Sequence, residues 1–148
     1  MSKSILAIDP GTACGWAMRT FCGSTHSGVQ KFELKRGESP GMRYWRFERW
    51  LGEMIAGIDV IYYEQAHHRG GYATQVGVGF TTIILKVAAE NKIETCPVHS
   101  ATVKKSATGK GNASKAEMIK AAQYLKAGLQ DDNEADALHI LYYAISEI

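Results

Sequence analysis

The sequence predicts an α/β fold: a central, mixed five-stranded sheet with helices on both faces. Three observations carry that expectation. Five short apolar or alternating segments read as strands, three of them within the first 34 residues. Longer stretches of helical periodicity alternate with the later strands and then close the chain. The chain has 148 residues, 45% hydrophobic and 22% charged, which suits one domain able to bury a core without metal or disulfide staples.

Taken in order, Ile5-Leu6-Ala7-Ile8 is a buried strand ending at Asp9, followed by the turn Pro10-Gly11-Thr12. Gly15 to Phe21 and Ser27 to Leu34 read as two further strands, completing an antiparallel meander. A polar loop, Lys35 to Ser39, leads into a helix opened by Ser39-Pro40, with Met42, Trp45, Trp50, Met54 and Ile55 as its apolar stripe and Gly57 at its close. Asp59 to Tyr63 is a buried strand ending at Glu64. His67 to Tyr72 reads as a loop carrying Gly70 and Gly71.

Thr74 to Asn91 is the next helix. Glycine costs roughly 1 kcal/mol inside a helix relative to alanine, so Gly77 and Gly79 imply a close approach of another backbone, a second subunit among the candidates. Ile93 to Val98 is the last strand. Ala113 or Ser114 starts a helix running to about Lys126, and Asn133 to Ile148 is the final one. No repeat or linker divides the chain, so residues 1–148 are expected to form one domain. The strands ending at Asp9 and Glu64 are both wholly apolar and so should be central neighbours, which would bring the two carboxylates to one sheet edge, where open α/β sheets place their sites.

The formal net charge is only +2, but its distribution is uneven. Lys104, Lys105, Lys110, Lys115 and Lys120 are opposed by the single Glu117, and Asp131, Asp132, Glu134 and Asp136 crowd together soon after. A basic stretch beside an acidic knot suits a protein that grips phosphates and holds a divalent cation. Three cysteines without C-x-x-C spacing read as reduced thiols. The N-terminus lacks a secretory pattern and no uncharged stretch reaches the roughly 18 residues of a membrane span, so a cytoplasmic location is expected.

Three acidic motifs carry the chemistry. Ile8-Asp9-Pro10-Gly11-Thr12 puts a carboxylate at a strand end before a tight turn; alone, it reads equally as a turn former. Tyr62-Tyr63-Glu64-Gln65 puts another directly after an apolar strand, where burial is costly without a partner or a metal, and a solvated strand end is its plain alternative. In Asp132-Asn133-Glu134-Ala135-Asp136-Ala137-Leu138-His139, the helix macrodipole accounts for Asp131, Asp132 and Glu134 but poorly for Asp136, a turn further in. Asp132, Asp136, His139 and Tyr143 fall on one helical face.

Together with the Ser100 to Lys115 segment, these motifs resemble, in order and placement, the RuvC family of the ribonuclease H-like superfamily, over nearly the whole chain and in the manner of a short, phage-type member. The resemblance implies a nuclease that resolves four-way (Holliday) junctions as a homodimer, in the host-cell cytoplasm if phage-encoded. It matches Asp9, Glu64 and Asp136 to metal-binding carboxylates. The family's fourth ligand falls at Asn133, a weaker donor, with Asp132 or His139 as substitutes. Lys104, Lys105 and Lys115 match basic positions near the scissile phosphate, and Lys110 extends that surface. His67 takes the place of a junction-stacking aromatic, with His68, Arg69 and Tyr72 beside it. The helix from Thr74 to Asn91, with Val76, Val78 and Phe80, is the expected dimer face, and Gly109 and Gly111 imply a mobile loop closing on DNA.

Hard oxygen ligands suit magnesium, two ions per site, with manganese as a substitute. The expected assignment has Asp9 bridging both ions, Glu64 and Asp136 holding one each, and Lys115 or Lys104 steadying the phosphate. No membrane partner and no nucleotide cofactor are expected: the first loop resembles that of sugar-kinase-like ATPases, but such a fold needs a second domain. The rivals are a nuclease of the same fold with broader branched-DNA or flap substrates, and a catalytically inactive junction-binding protein.

Overall fold

The computed structural model describes residues 2–66 and 70–148. Four consecutive apolar residues make Ile5–Asp9 (β1) the middle of the sheet, with Ile5, Leu6, Ala7 and Ile8 fully buried. Ala13–Arg19 (β2) pairs with it antiparallel, and Thr25–Lys31 (β3) pairs antiparallel with β2. On the other side Val60–Glu64 (β4) runs parallel to β1, and Glu94–Val98 (β5) parallel to β4. The sheet order is β3-β2-β1-β4-β5, a mixed sheet as expected.

Alternation along β1 sorts the core into two layers. Leu6 and Ile8 face Gly41–Met54 (α1) and Tyr72–Glu90 (α2), packing with Phe47, Leu51, Val76, Phe80 and Ile84. The rings of Phe47 and Phe80 stack, centroids 4.1 Å apart. Ile5 and Ala7 face the opposite layer, built from Ser100–Thr108 (α3), Lys115–Ala122 (α4) and Asp132–Glu147 (α5), with Val103, Met118, Leu138 and Leu141.

Several expectations change. β2 and β3 begin and end two to three residues earlier than the sequence pattern suggests, so Phe21 and Leu34 lie outside them. The buried line of α1 is Arg43, Phe47 and Leu51, and Trp45 is exposed. The segment expected to be a mobile glycine loop contains α3, which ends on Gly109 in the left-handed conformation (φ 85°). α4 follows at once, its N-terminus held by the capping box of Ser114 and Glu117, and it stops at Ala122, short of Lys126.

The α2 glycines serve the monomer. A Cβ at Gly79 would sit 2.3 Å from the Tyr44 ring of α1, and one at Gly77 would meet Ala66 at 3.6 Å. Val76 and Phe80 are core residues, at 2% and 0% exposure, so of the expected dimer face only Val78 looks outward, joined by Leu85. By length and composition α2 is apolar enough to cross a membrane; it buries one line, Val76, Phe80, Ile84 and Val87, in the core layer it shares with α1.

Candidate active site

Parallel pairing sets the geometry. Ile8 is the register partner of Tyr63, so Asp9 and Glu64, one residue further along each strand, end level on adjacent central strands. There the Glu64 carboxylate lies close enough to act on Asp9. Burial is the main cause that holds the Asp9 carboxyl well above the usual range; Glu64, Asp136 and Asp132 push the same way.

Asp136 arrives from the other layer. Asp131 caps α5, its side chain accepting from the Glu134 amide at 2.9 Å. The first turn of that helix then lies directly on β2: a Cβ at Gly15 would fall 1.9 Å from the Asn133 carbonyl oxygen. This contact needs glycine at position 15, and Gly15 is the register partner of Asp9. Glu134 braces the same turn from the side, bonded to Ser27 of β3 at 2.7 Å and paired with Lys126. One turn into the helix, the Asp136 carboxyl is pushed up to about 7, first by burial and then by Glu64 and Asp132, against the opposing pull of Lys104 and Lys115.

The site therefore gathers Asp9, Glu64, Asp136 and Asp132, with Lys104 and Lys115 beside them. Lys115 lies 3.5 Å from Asp132. As the side chains stand, no three His, Cys, Asp or Glu groups among the described residues close into a cage. Among the acids Glu64 acts most strongly on Asp9, and Asp136 and Asp132 act on it in the same sense, as like charges do at short range. The donor set still fits a hard divalent cation. It is all oxygen, it sits at one sheet edge, and the raised carboxyls of Asp9 and Asp136 mark negative charge that a cation would stabilise. A groove of about 250 Å³ opens beside it, lined by Pro10, Glu64, Gln65, Ala66 and the first turns of α2. A larger depression of about 460 Å³ lies around Tyr124, His139 and Tyr142, and none of the four acids lines it.

The other candidates fall differently. His139 is buried and its Nε2 bonds the Met118 carbonyl at 2.8 Å, while burial favours its neutral ring, so it is a packing residue between α4 and α5 and not a substitute ligand. Asn133 is placed by its backbone contact with Gly15. Lys110 is turned to Glu117 at 3.2 Å, and Lys105 lies exposed on α3. Tyr72 begins α2 with its hydroxyl on Arg43 and its side chain largely exposed. His67, His68 and Arg69 lie outside the described residues. Sequence reasoning alone misses Gly15, although a glycine inside a strand signals close backbone approach. It also misses Arg43, whose spacing of four from Phe47 and eight from Leu51 puts it on the buried stripe.

The fold defined by this sheet order and helix placement is the ribonuclease H-like α/β fold. Among solved structures, the chain is similar to RuvC of Thermus thermophilus, with TM-score 0.75, 21% identity, and 97% of this chain and 96% of that one covered. It is also similar to T. thermophilus RuvC in complex with a Holliday junction substrate, with TM-score 0.78, 19% identity, and coverage of 99% and 97%. No family model and no curated protein sequence matches the chain.

Proposed function

We propose that the chain is a magnesium-dependent DNA endonuclease that cuts four-way junctions at paired, symmetric positions as a homodimer. The observation that carries this reading is the electrostatic coupling of Asp9, Glu64 and Asp136 on a rim that also holds Lys104 and Lys115. The RuvC fold, seen with a Holliday junction in the Thermus protein, supports the choice of substrate.

Divalent ions bound here would neutralise phosphate charge and lower the pKa of an attacking water. Asp9, Glu64 and Asp136 would hold these ions. Asp132 replaces Asn133 as the fourth donor, because its charge reaches both Asp9 and Asp136. Lys104 and Lys115 steady the scissile phosphate, and the products are a 5′-phosphate and a 3′-hydroxyl. Manganese substitutes for magnesium. Tyr72, the adjoining His67, His68 and Arg69, and the outlying Lys105 and Lys110 contact the DNA arms. Two cuts require two sites about a two-fold axis, and the outward Val78 and Leu85 of α2 are the face that forms it. Its proposed location is the cytoplasm, that of the host cell if the chain is phage-encoded.

The test is cleavage of a labelled mobile four-way junction, a flap and a plain duplex in magnesium, with Asp9→Asn and Glu64→Gln in parallel. Paired symmetric cuts on the junction, lost in both variants while junction binding survives, support the reading. Equal cutting of duplex refutes junction selectivity, comparable cutting of the flap favours the broader branched-DNA enzyme, and binding without cutting favours the inactive junction binder.

A further inference from the structure

Arg43 is a buried cation that none of the chemistry above uses. It is 7% exposed, in the first turn of α1, and among the described residues it forms no salt bridge. Burying a guanidinium without a counter-charge is costly. An apolar side chain at this place on the stripe of Phe47 and Leu51 would avoid that cost, so helix packing alone does not account for it.

Its hydrogen bonds do. Nε donates to the Phe32 carbonyl at 2.8 Å, and Nη1 donates to the Tyr72 hydroxyl at 2.5 Å. The guanidinium carbon also lies 5.6 Å from the centre of the Tyr72 ring. The Phe32 amide in turn donates to the Thr12 carbonyl at 2.7 Å. Thr12 belongs to the turn that begins at Asp9, and Tyr72 starts the helix reached by the connection that leaves Glu64. One rigid fork thus ties the turn that follows Asp9 to the start of α2. A guanidinium holds donors at fixed angles, whereas a lysine presents a single flexible point.

We propose that Arg43 is a positioning residue for the phosphodiester chemistry. It fixes the Asp9 turn relative to the start of α2, so that the paired acids and the adjoining groove keep one geometry. This rests on the nuclease reading above. Arg43 acts through Asp9 and Glu64 and through Tyr72, and touches no reacting atom.

The test uses the full chain with Arg43→Lys, Arg43→Met and Tyr72→Phe, read by junction cleavage in magnesium and by amide hydrogen exchange. A displacement of about 1 Å at reacting groups costs on the order of 100-fold in rate. The expected result for Arg43→Met is therefore a fall in kcat of roughly 10- to 100-fold, with KM changed much less. Arg43→Lys restores part of kcat, and Tyr72→Phe falls between wild type and Arg43→Met. Exchange should quicken together at the Phe32 amide and in the first turn of α2, with the rest of α1 unchanged. Faster exchange throughout α1 with normal kcat per folded molecule would make Arg43 a mere anchor and overturn the proposal. If the wild type cuts no branched DNA, the nuclease reading fails and the catalytic role falls with it, while paired loss of exchange protection would still establish the tie between the two segments.

Discussion

Asp9 and Asp136 are held above the ordinary carboxyl range chiefly by burial and then by acidic neighbours, Glu64 and Asp132 acting on both, so ionising them together works against the fold. The sign for Asp136 follows. Its carboxyl in the folded protein titrates near 7 against an ordinary value of 3.8. Between those values the folded state holds the extra proton, so stability declines as pH rises and the loss is complete above about 7. Thermal melts in EDTA should therefore show a lower Tm at pH 8 than at pH 5, Asp136→Asn should flatten that slope, and added magnesium should raise the wild-type Tm most at the higher pH. A wild-type Tm that rises with pH in EDTA would contradict this site. For cleavage, Asp9→Asn should lose on the order of three decades in kcat, the scale of several kcal/mol of transition-state charge stabilisation. That Asp9 and Glu64 end level is legible in the sequence because two wholly apolar strands belong side by side at the centre of a sheet. His139 is not, because helical spacing gives an angle but not the neighbour filling it, here the Met118 carbonyl.

At the level of elements, β1 and β4 can be read because they are apolar throughout, whereas α3 (SATVKKSAT) cannot: it buries only Val103 and has too few apolar residues to show a period. Its position nevertheless brings Lys104 near Asp136. α2 reads as a subunit face because its apolar residues surround it; four-residue spacing of Val76, Phe80 and Ile84 places those three inward. The seat of α5 on Gly15 gives the sharpest test of an element. Gly15→Ala forces a methyl against the Asn133 carbonyl, and overpacking of this kind costs roughly 1–3 kcal/mol. Urea denaturation should record that loss, and cleavage per folded molecule should fall too, since Asp132 and Asp136 shift with the helix. Ser114→Ala, which removes a cap worth about 1 kcal/mol, should lower stability and leave the cleavage rate of the folded fraction nearly intact.

Over the whole molecule, acids and lysines share one edge of a five-stranded sheet, and the overall charge of +2 conceals that concentration. Replacing Lys104 and Lys115 with alanine should reduce the slope of log affinity against log salt by roughly one for each phosphate that these lysines neutralise; an unchanged slope would remove them from the DNA surface. Sedimentation should find a dimer that Val78→Glu with Leu85→Glu converts to monomer, whereas Trp45→Glu should leave the dimer in place. The register of β1 on β4 also settles which genetic lesions the fold can survive. Successive residues of a strand point to opposite layers, so deleting one codon within positions 5–8 would exchange the two layers and turn Asp9 out of its row. Insertions at the exposed tip around 35–37 change neither layer. Frame within the strands, far more than length between them, is what heredity must conserve here.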